Sequence, residues 1–381
     1  MMTSTRLVGA VAGALLLAVQ PLAAIAAPPE SLALPEPTGD HEVGVRTLHL
    51  VDESGQDPWV SSARRELMVD LWYPAAGEPD GDTKQYMTPE ESRLFLELQG
   101  EQAPLPEDLP KDVLSTVRTN AHPDAQALPS GQGLPLVVLS PGFSHPRAAL
   151  SGMAEALASH GYAVALIGHN YESAGTEFPD GRVTECVACD DMANVPRVPG
   201  VRARDTSFVL DRLAEHEAAL IDEERVAMVG HSIGGAAASE AMSRDERIDA
   251  GVNLDGTVYD PLEAPLDRPF LLLGSGAHAP HGIDPTWDET WEQLTGWKRW
   301  TTLNGAGHST MTDLTMLRDQ AELPRPNPLP GARGAELGNE VVTAFVGTHL
   351  RGEDHPLLEK ETPERPELLF WHVDRPELPG R

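Results

Sequence analysis

The chain is 381 residues long, and its content of 40% hydrophobic and 23% charged residues is that of a globular protein. Its formal net charge of −31 gives a surface that repels nucleic acids and anionic membranes, which excludes both as partners. The length suits one α/β domain with insertions as well as two smaller domains.

The first 26 residues have the pattern of a secretory signal peptide. Arg6 precedes an apolar run over 7–19, and small residues beyond it favour cleavage after Ala26. An uncleaved membrane anchor is the alternative, although the run is too short to span a bilayer comfortably. We therefore expect a secreted, extracellular protein without stable membrane insertion. The Pro-rich residues 27–40 are predicted to be a linker.

The domain proper is predicted to span 41–351. It begins with two strands, over 43–51 and 65–74, which are rich in apolar and β-branched residues. A polar turn separates them, so we expect an antiparallel pair.

An irregular excursion over 75–132 follows this pair. Thr88 and Glu91 form a capping box that begins a helix, and Gly100 is expected to end it. Because the excursion shows no regular alternation of strands and helices, it could lie outside the central sheet and form a cap over an active site.

From residue 133 onward, short apolar runs alternate with segments of helical spacing. Such alternation implies a parallel sheet covered by helices. The predicted class is therefore α/β: a mostly parallel central sheet with helices on both faces and an N-terminal antiparallel strand pair. Residues 352–381 are predicted to be a Pro/Glu-rich tail with one strand-like piece at 367–373.

The only two cysteines, Cys186 and Cys189, are three positions apart. A redox motif needs a thioredoxin-like setting, and a zinc site needs further ligands, and neither is evident nearby. In an exported protein a local disulfide is the favoured interpretation.

The stretch VGHSIGGAAASEAMS (229–243) carries the pattern G-x-S-x-G, with Ser232 at its centre. It joins a buried strand to a helix of small residues, which is the context of a nucleophile elbow. A serine needs a base to become a good nucleophile. His308, in a Gly-flanked loop after the last predicted parallel strand, is the expected base.

Two aspartates are candidates for the acid that orients this histidine. Asp255 ends the strand after the elbow helix, and Asp284 follows the next strand. Asp284 precedes Pro285 and a helix, so a capping role explains it. Asp255 has no such capping role, so it is the favoured acid, and Asp284 remains the alternative.

The oxyanion of the tetrahedral intermediate needs two backbone N–H donors. Ile233 follows the nucleophile and supplies one. The loop after an earlier strand should supply the other, and there Gly142 allows a tight turn that aims the amide of Phe143 inward.

The elbow and the motifs SPGF, NLDGT and GAGHSTMTD together resemble the α/β-hydrolase superfamily. More narrowly, they resemble the platelet-activating factor acetylhydrolase family, in its plasma and intracellular type II branch and its secreted bacterial relatives. The resemblance covers residues 42 to 350. It implies an acid soon after the nucleophile, and therefore Asp255.

Other residues have weaker claims to a role. Tyr171 and Glu172 follow a strand and could touch substrate, and Trp287 could line an acyl or headgroup pocket, although core packing is commoner for tryptophan. His278, with His281 and Asp284, has metal-like spacing, but we predict neither a metal nor a cofactor.

The expected activity is that of a serine esterase with Ser232, Asp255 and His308 as its triad. The family resemblance implies a short acyl group at the sn-2 position of a phospholipid as the bond that is cut. A general carboxylesterase, lipase or polyester hydrolase is the first alternative. A catalytically silent binding protein on the same fold is the second. The oligomeric state is left open.

Overall fold

The computed structural model describes residues 32–102, 105–262 and 264–371, and in this part of the chain a ten-stranded sheet forms the centre. The described strands are β1 (Val43–Gln56), β2 (Arg64–Pro74), β3 (His122–Pro123), β4 (Leu134–Ser140), β5 (Ala163–His169), β6 (Gly175–Glu177), β7 (Val183–Glu185), β8 (Ile221–His231), β9 (Ala250–Leu254), β10 (Phe270–Gly274), β11 (Lys298–Leu303) and β12 (Leu368–Phe370). The described α-helices are α1 (Pro89–Gln102), α2 (Ser151–Ser159), α3 (Val198–His216), α4 (Ile233–Arg244), α5 (Thr286–Gln293), α6 (Asp313–Gln320) and α7 (Gly331–Arg351).

The sheet has the order β12-β11-β10-β9-β8-β4-β5-β2-β1-β3, and β6 and β7 form a separate hairpin. The six strands from β11 to β5 pair in parallel. β2 joins β5 in antiparallel fashion, and β1 pairs antiparallel with β2. The predicted α/β fold, with its mostly parallel sheet and N-terminal antiparallel pair, is thereby confirmed.

Burial on both faces explains why the central strands are continuous apolar runs. In β4, Val137 and Leu139 join the core under α2 and α7, whereas Leu136 and Val138 join the core under α3 and α4. Side chains alternate across a strand, so one short sequence supplies both cores.

The excursion over 75–132 contains α1, which begins with the predicted capping box. The amide of Thr88 donates to Glu91 Oε2 at 3.0 Å, and the amide of Glu91 donates to Thr88 Oγ1 at 3.2 Å. The prediction that Gly100 ends the helix is wrong, because α1 continues to Gln102. The apolar side of α1, with Phe95, packs in a small core of its own.

The segment predicted as a linker packs against the domain where the structure describes it. Leu34 is buried in the small core beside α1, and Ala33 exchanges two hydrogen bonds with Gln320 of α6. The predicted signal peptide, residues 1–26, lies outside the described residues.

The sheet extends beyond the predicted domain end at residue 351. β12 pairs antiparallel with β11, and the indole of Trp371 donates to Thr302 at 2.8 Å. Part of the predicted tail is thus an edge strand. Within the described ranges, no helix is both long and apolar enough to cross a bilayer.

Candidate active site

Ser232 occupies a sharp turn between β8 and α4. Its backbone has φ 56° and ψ −126°, a strained conformation for a residue with a side chain. A Cβ at Gly230 would lie 1.9 Å from the carbonyl oxygen of Gly234, and one at Gly234 would lie 2.1 Å from that of Ser140. Both glycines are therefore required for strand and helix to approach this closely. This is the geometry of a nucleophile elbow.

The structure brings together the three residues predicted as the triad. His308 Nε2 lies 2.9 Å from Ser232 Oγ, and His308 Nδ1 lies 2.7 Å from Asp255 Oδ2. The imidazole is about half exposed, whereas Asp255 is buried. We call these three residues the elbow series. The contacts run from serine to histidine to aspartate, which is the order that nucleophilic attack by serine requires.

The carboxylate of Asp255 is held in its charged form. Burial by itself would raise the pKa of this group, but hydrogen bonds from His278 and His308 outweigh that effect and lower the pKa. The amide of Ser275 also donates to Oδ1, at 2.5 Å. Asp255 therefore offers His308 a fixed negative charge.

The alternative acid, Asp284, does not contact His308 in the structure. Its Oδ1 accepts from the amide of Thr286, the first residue of α5, at 2.9 Å, although Pro285 and not Asp284 occupies the N-cap position. Its Oδ2 accepts from Thr257 at 2.5 Å and faces His278 at 3.1 Å.

The metal-like spacing of His278, His281 and Asp284 does not converge on one point. His281 is exposed and pairs with Asp288, whereas His278 and Asp284 contact each other. No group of three or more ligating side chains suited to a metal ion occurs in the described ranges.

His231, which directly precedes the nucleophile, supports the histidine loop. Its Nε2 donates to the carbonyl oxygen of His308 at 2.7 Å, and the two rings lie 4.9 Å apart. Burial lowers the pKa of His231 well below its ordinary value, and the neighbouring histidines act in the same direction. A neutral imidazole with Nε2 protonated fits this contact.

Phe143 and Ile233, predicted to supply the oxyanion donors, belong to segments that meet beside Ser232. Their side chains pack in one small cluster with Val195 and Val198. Gly142 allows the close approach, since a Cβ there would lie 2.9 Å from the ring of His145. The donor role of the two amides stays a prediction.

Two of the predicted substrate contacts are wrong. Glu172 is fully buried, and its carboxylate binds Arg65 and Arg202. Trp287 is also fully buried, and its indole donates to the carbonyl of Gly256. A side chain without an accessible face cannot touch substrate, so both residues are structural.

Tyr171 remains a prediction as a substrate contact. It is partly exposed and has a positive φ of 62°. Its carbonyl accepts from Ala188, inside the loop closed by the Cys186–Cys189 disulfide. The predicted disulfide is present.

A second serine–histidine–aspartate series lies inside the fold, and sequence reasoning missed it. His169 lies 3.0 Å from Ser140 Oγ and 2.7 Å from Asp205. Arg65 and Arg202 bind its two ends. We call Ser140, His169 and Asp205 the buried series. All three are buried, so this serine cannot reach an ester, and the series ties α3 to the sheet.

A cavity of about 280 Å³ lies beside the exposed edge of His308. One wall comes from α1 and the loop after it, including Phe95 and Leu105, and the other from α6, including Leu314 and Leu317. The lining is mainly apolar, and it includes His308 and Ser309. The candidate site thus places the contact between Ser232 and His308 beside a recess suited to an apolar group.

Comparison with known proteins supports an esterase. A model described as "Alpha/beta hydrolase family" matches residues 137–376, and one described as "Platelet-activating factor acetylhydrolase, isoform II" matches residues 27–188. A protein of Arthroderma benhamiae named "Probable 1-alkyl-2-acetylglycerophosphocholine esterase" is 27% identical over 90% of this chain and 94% of its own length.

Two further matches cover different shares of this chain. The platelet-activating factor acetylhydrolase of Bos taurus is 26% identical over 41% of this chain and 42% of its own length. The structure of a ferulic acid esterase from Streptomyces cinnamoneus superposes with a TM-score of 0.80 and 39% identity, covering 90% of this chain and all of that one.

Proposed function

The chain belongs to the alpha/beta hydrolase family and is a carboxylic ester hydrolase, and from this premise we propose that Ser232 is its nucleophile. The observation that carries the proposal is the 2.9 Å contact between Ser232 Oγ and His308 Nε2 at a strained elbow. The buried series lacks both features that a nucleophile needs, exposure and an elbow.

The proposed reaction proceeds through an acyl-enzyme. His308 takes the proton of Ser232 as the hydroxyl oxygen attacks the ester carbonyl carbon. Asp255 stabilises the imidazolium that forms, and the amides of Phe143 and Ile233 bind the oxyanion. His308 then gives the proton to the leaving alcohol, and a water molecule, activated in the same way, releases the acid.

The position of the cavity supports an ester with a large apolar alcohol. The leaving oxygen must lie within hydrogen-bond reach of His308, so the alcohol occupies the His308 side of the site. That is the side on which the apolar cavity opens. On the other side Phe143 and Ile233 pack against neighbours, which favours a short acyl group.

The substrate we propose is therefore a phospholipid with a short sn-2 acyl group, as the name of the Arthroderma benhamiae relative suggests. The second candidate is an ester of an aromatic acid, because the Streptomyces cinnamoneus structure is a ferulic acid esterase. We also propose that the chain is exported, which its disulfide supports, since such bonds persist in oxidising compartments.

Initial rates on three esters would separate these candidates. We would compare an sn-2-acetyl ether phospholipid, p-nitrophenyl butyrate and methyl ferulate on the same preparation. Phospholipid turnover as efficient as butyrate turnover supports the proposed substrate. Ferulate turnover with the phospholipid untouched would replace it with the second candidate.

The variant Ser232→Ala tests the nucleophile itself. We expect it to lose at least about 10³-fold in kcat with all three esters while its thermal unfolding is unchanged, because triad serines contribute on this scale. Retention of turnover in this variant would overturn the assignment of the site.

A further inference from the structure

The carboxylate of Asp255 contacts two imidazoles. Oδ2 faces His308, and Oδ1 lies 2.8 Å from Nδ1 of His278. The other ring nitrogen of His278, Nε2, lies 3.1 Å from Oδ2 of Asp284. His278 thus bridges the acid of the elbow series to a second carboxylate.

The hydrogen-bond partners determine the protonation of His278. A carboxylate only accepts, so a nitrogen that faces one must carry a proton. Asp255 accepts from His308 and Ser275, and Asp284 accepts from Thr257 and Thr286, and these hydrogen bonds keep both carboxylates ionised. Both nitrogens of the imidazole between them must then be protonated.

We propose that His278 is a fixed imidazolium that positions the carboxylate of Asp255 and offsets part of its charge. It is a positioning residue, since Asp255 and not His278 contacts the reacting histidine. This inference rests on the proposed role of the elbow series, and it adds a fourth and a fifth member, His278 and Asp284.

The surroundings of His278 agree with a permanent charge. Asp255 and Asp284 are the charged groups that contact its ring in the described chain. Trp287 lies 4.6 Å from the ring, and the indole of Trp300 donates to the backbone carbonyl of His278. Burial lowers the pKa of His278, but Asp255 and then Asp284 outweigh it, and the pKa is raised.

A fixed positive charge behind Asp255 has a consequence for catalysis. It offsets part of the negative charge that Asp255 presents to His308, so loss of this positive charge should make kcat/KM fall off at a higher pH. The hydrogen bond also fixes Oδ1, which leaves Oδ2 aimed at His308. Without His278 the carboxylate would present its full charge to the site and would have more freedom to turn.

Nitrogen NMR tests the charge without any turnover. In protein labelled with ¹⁵N-histidine, comparison with His278→Gln identifies the signals of His278. At pH 7.5, where an ordinary histidine is mostly neutral, we expect both nitrogens of His278 to give imidazolium shifts. A neutral tautomer at this pH would overturn the proposal.

The pH dependence of kcat/KM tests the consequence. We expect His278→Gln, which keeps a donor but no charge, to move the acid limb of the profile to higher pH by about one unit. Asp284→Asn removes the carboxylate that supports the proton on Nε2, so we expect His278 to be neutral at pH 7.5 in this variant and the limb to move in the same direction. His281→Gln, in the same loop but exposed, is the matched control and should not move it.

The outcomes separate this inference from the proposed function. If Ser232→Ala abolishes turnover while the acid limb is unmoved in folded His278→Gln and in Asp284→Asn, the triad stands and the role of His278 is refuted. If Ser232→Ala retains turnover, the proposed function fails, and the NMR result still decides the charge on His278.

Discussion

The serines of the two serine–histidine–aspartate series lie at the carboxyl ends of two neighbouring strands, β4 and β8. Ser140 and Gly230 are register partners, so the buried series and the elbow series begin side by side. The side-chain contacts of the two series are alike in length, at 2.7 to 3.0 Å. What distinguishes them is the backbone at the serine and its access to solvent. Hydrogen-bond geometry alone therefore does not identify a nucleophile.

The variant Ser140→Ala should be stable enough to fold and should remain active. It removes one partner of buried His169, which costs about 1–3 kcal/mol in the free energy of unfolding. Urea unfolding and kcat/KM would be measured beside Ser232→Ala, the matched serine of the other series. A loss of turnover as large as that in Ser232→Ala would show that the buried series takes part in the chemistry.

At the level of single residues, the sequence predicted reacting groups better than their surroundings. Ser232 and His308 stand in motifs that backbone geometry demands, and they lie where those motifs place them. Glu172 was misjudged because a position after a strand does not reveal whether the side chain turns inward, and Trp287 because a place on a short helix does not reveal which side of that helix is covered. The contact of His278 with Asp255 depends on the packing of a loop, which no local spacing encodes.

Elements with strong periodicity or strong caps were predictable, whereas the short helix α6 was not. The parallel strands follow from their apolar runs, and α1 from its capping box. The helix α6 has only eight residues and few apolar ones, although Thr312 accepts from the amide of Leu314 in the manner of an N-cap. Such a helix is stabilised by tertiary packing rather than by propensity.

The capping box of α1 should influence substrate binding, because α1 forms one wall of the cavity. We expect Thr88→Ala to lower the free energy of unfolding by about 1 kcal/mol. It should raise KM for an ester with a long apolar alcohol more than KM for p-nitrophenyl acetate.

The control for this prediction is Thr116→Ala, an exposed threonine of the same excursion whose hydroxyl donates to the carbonyl of Val113. Equal changes in KM for both esters, or the same effect in Thr116→Ala, would argue against a role of α1 in binding the alcohol.

Across the whole molecule, two buried carboxylates link stability to pH. Burial raises the pKa of Asp313 to about 8 and that of Glu155 to about 7. Asp313 accepts from the amide of Gly152 in α2, and Glu155 accepts from Asn120 in the excursion. Because both groups bind a proton more tightly when folded, their stabilising effect is complete below about pH 4 and is lost as pH rises through 7 and 8.

We therefore expect the free energy of unfolding to fall by a few kcal/mol between pH 5 and pH 8. The variant Asp313→Asn, which stays neutral, should flatten this decline, whereas Glu322→Gln, an exposed change just after α6, should not. Urea unfolding at several pH values measures it. A wild-type curve without a decline, or an equal decline in Asp313→Asn, would contradict the expectation.

The reacting groups and one wall of the cavity beside His308 come from two different stretches of the chain. The elbow series and His278 follow β8, β9, β10 and β11, whereas one wall of the cavity comes from residues 89–102 and 105–114. We expect mutations in that wall to alter which alcohol fits while the reacting atoms keep their places. The fold is thus modular in an evolutionary sense: new ester specificities are accessible through one exchangeable segment, and the same segment is where a laboratory library aimed at retargeting the enzyme should be confined.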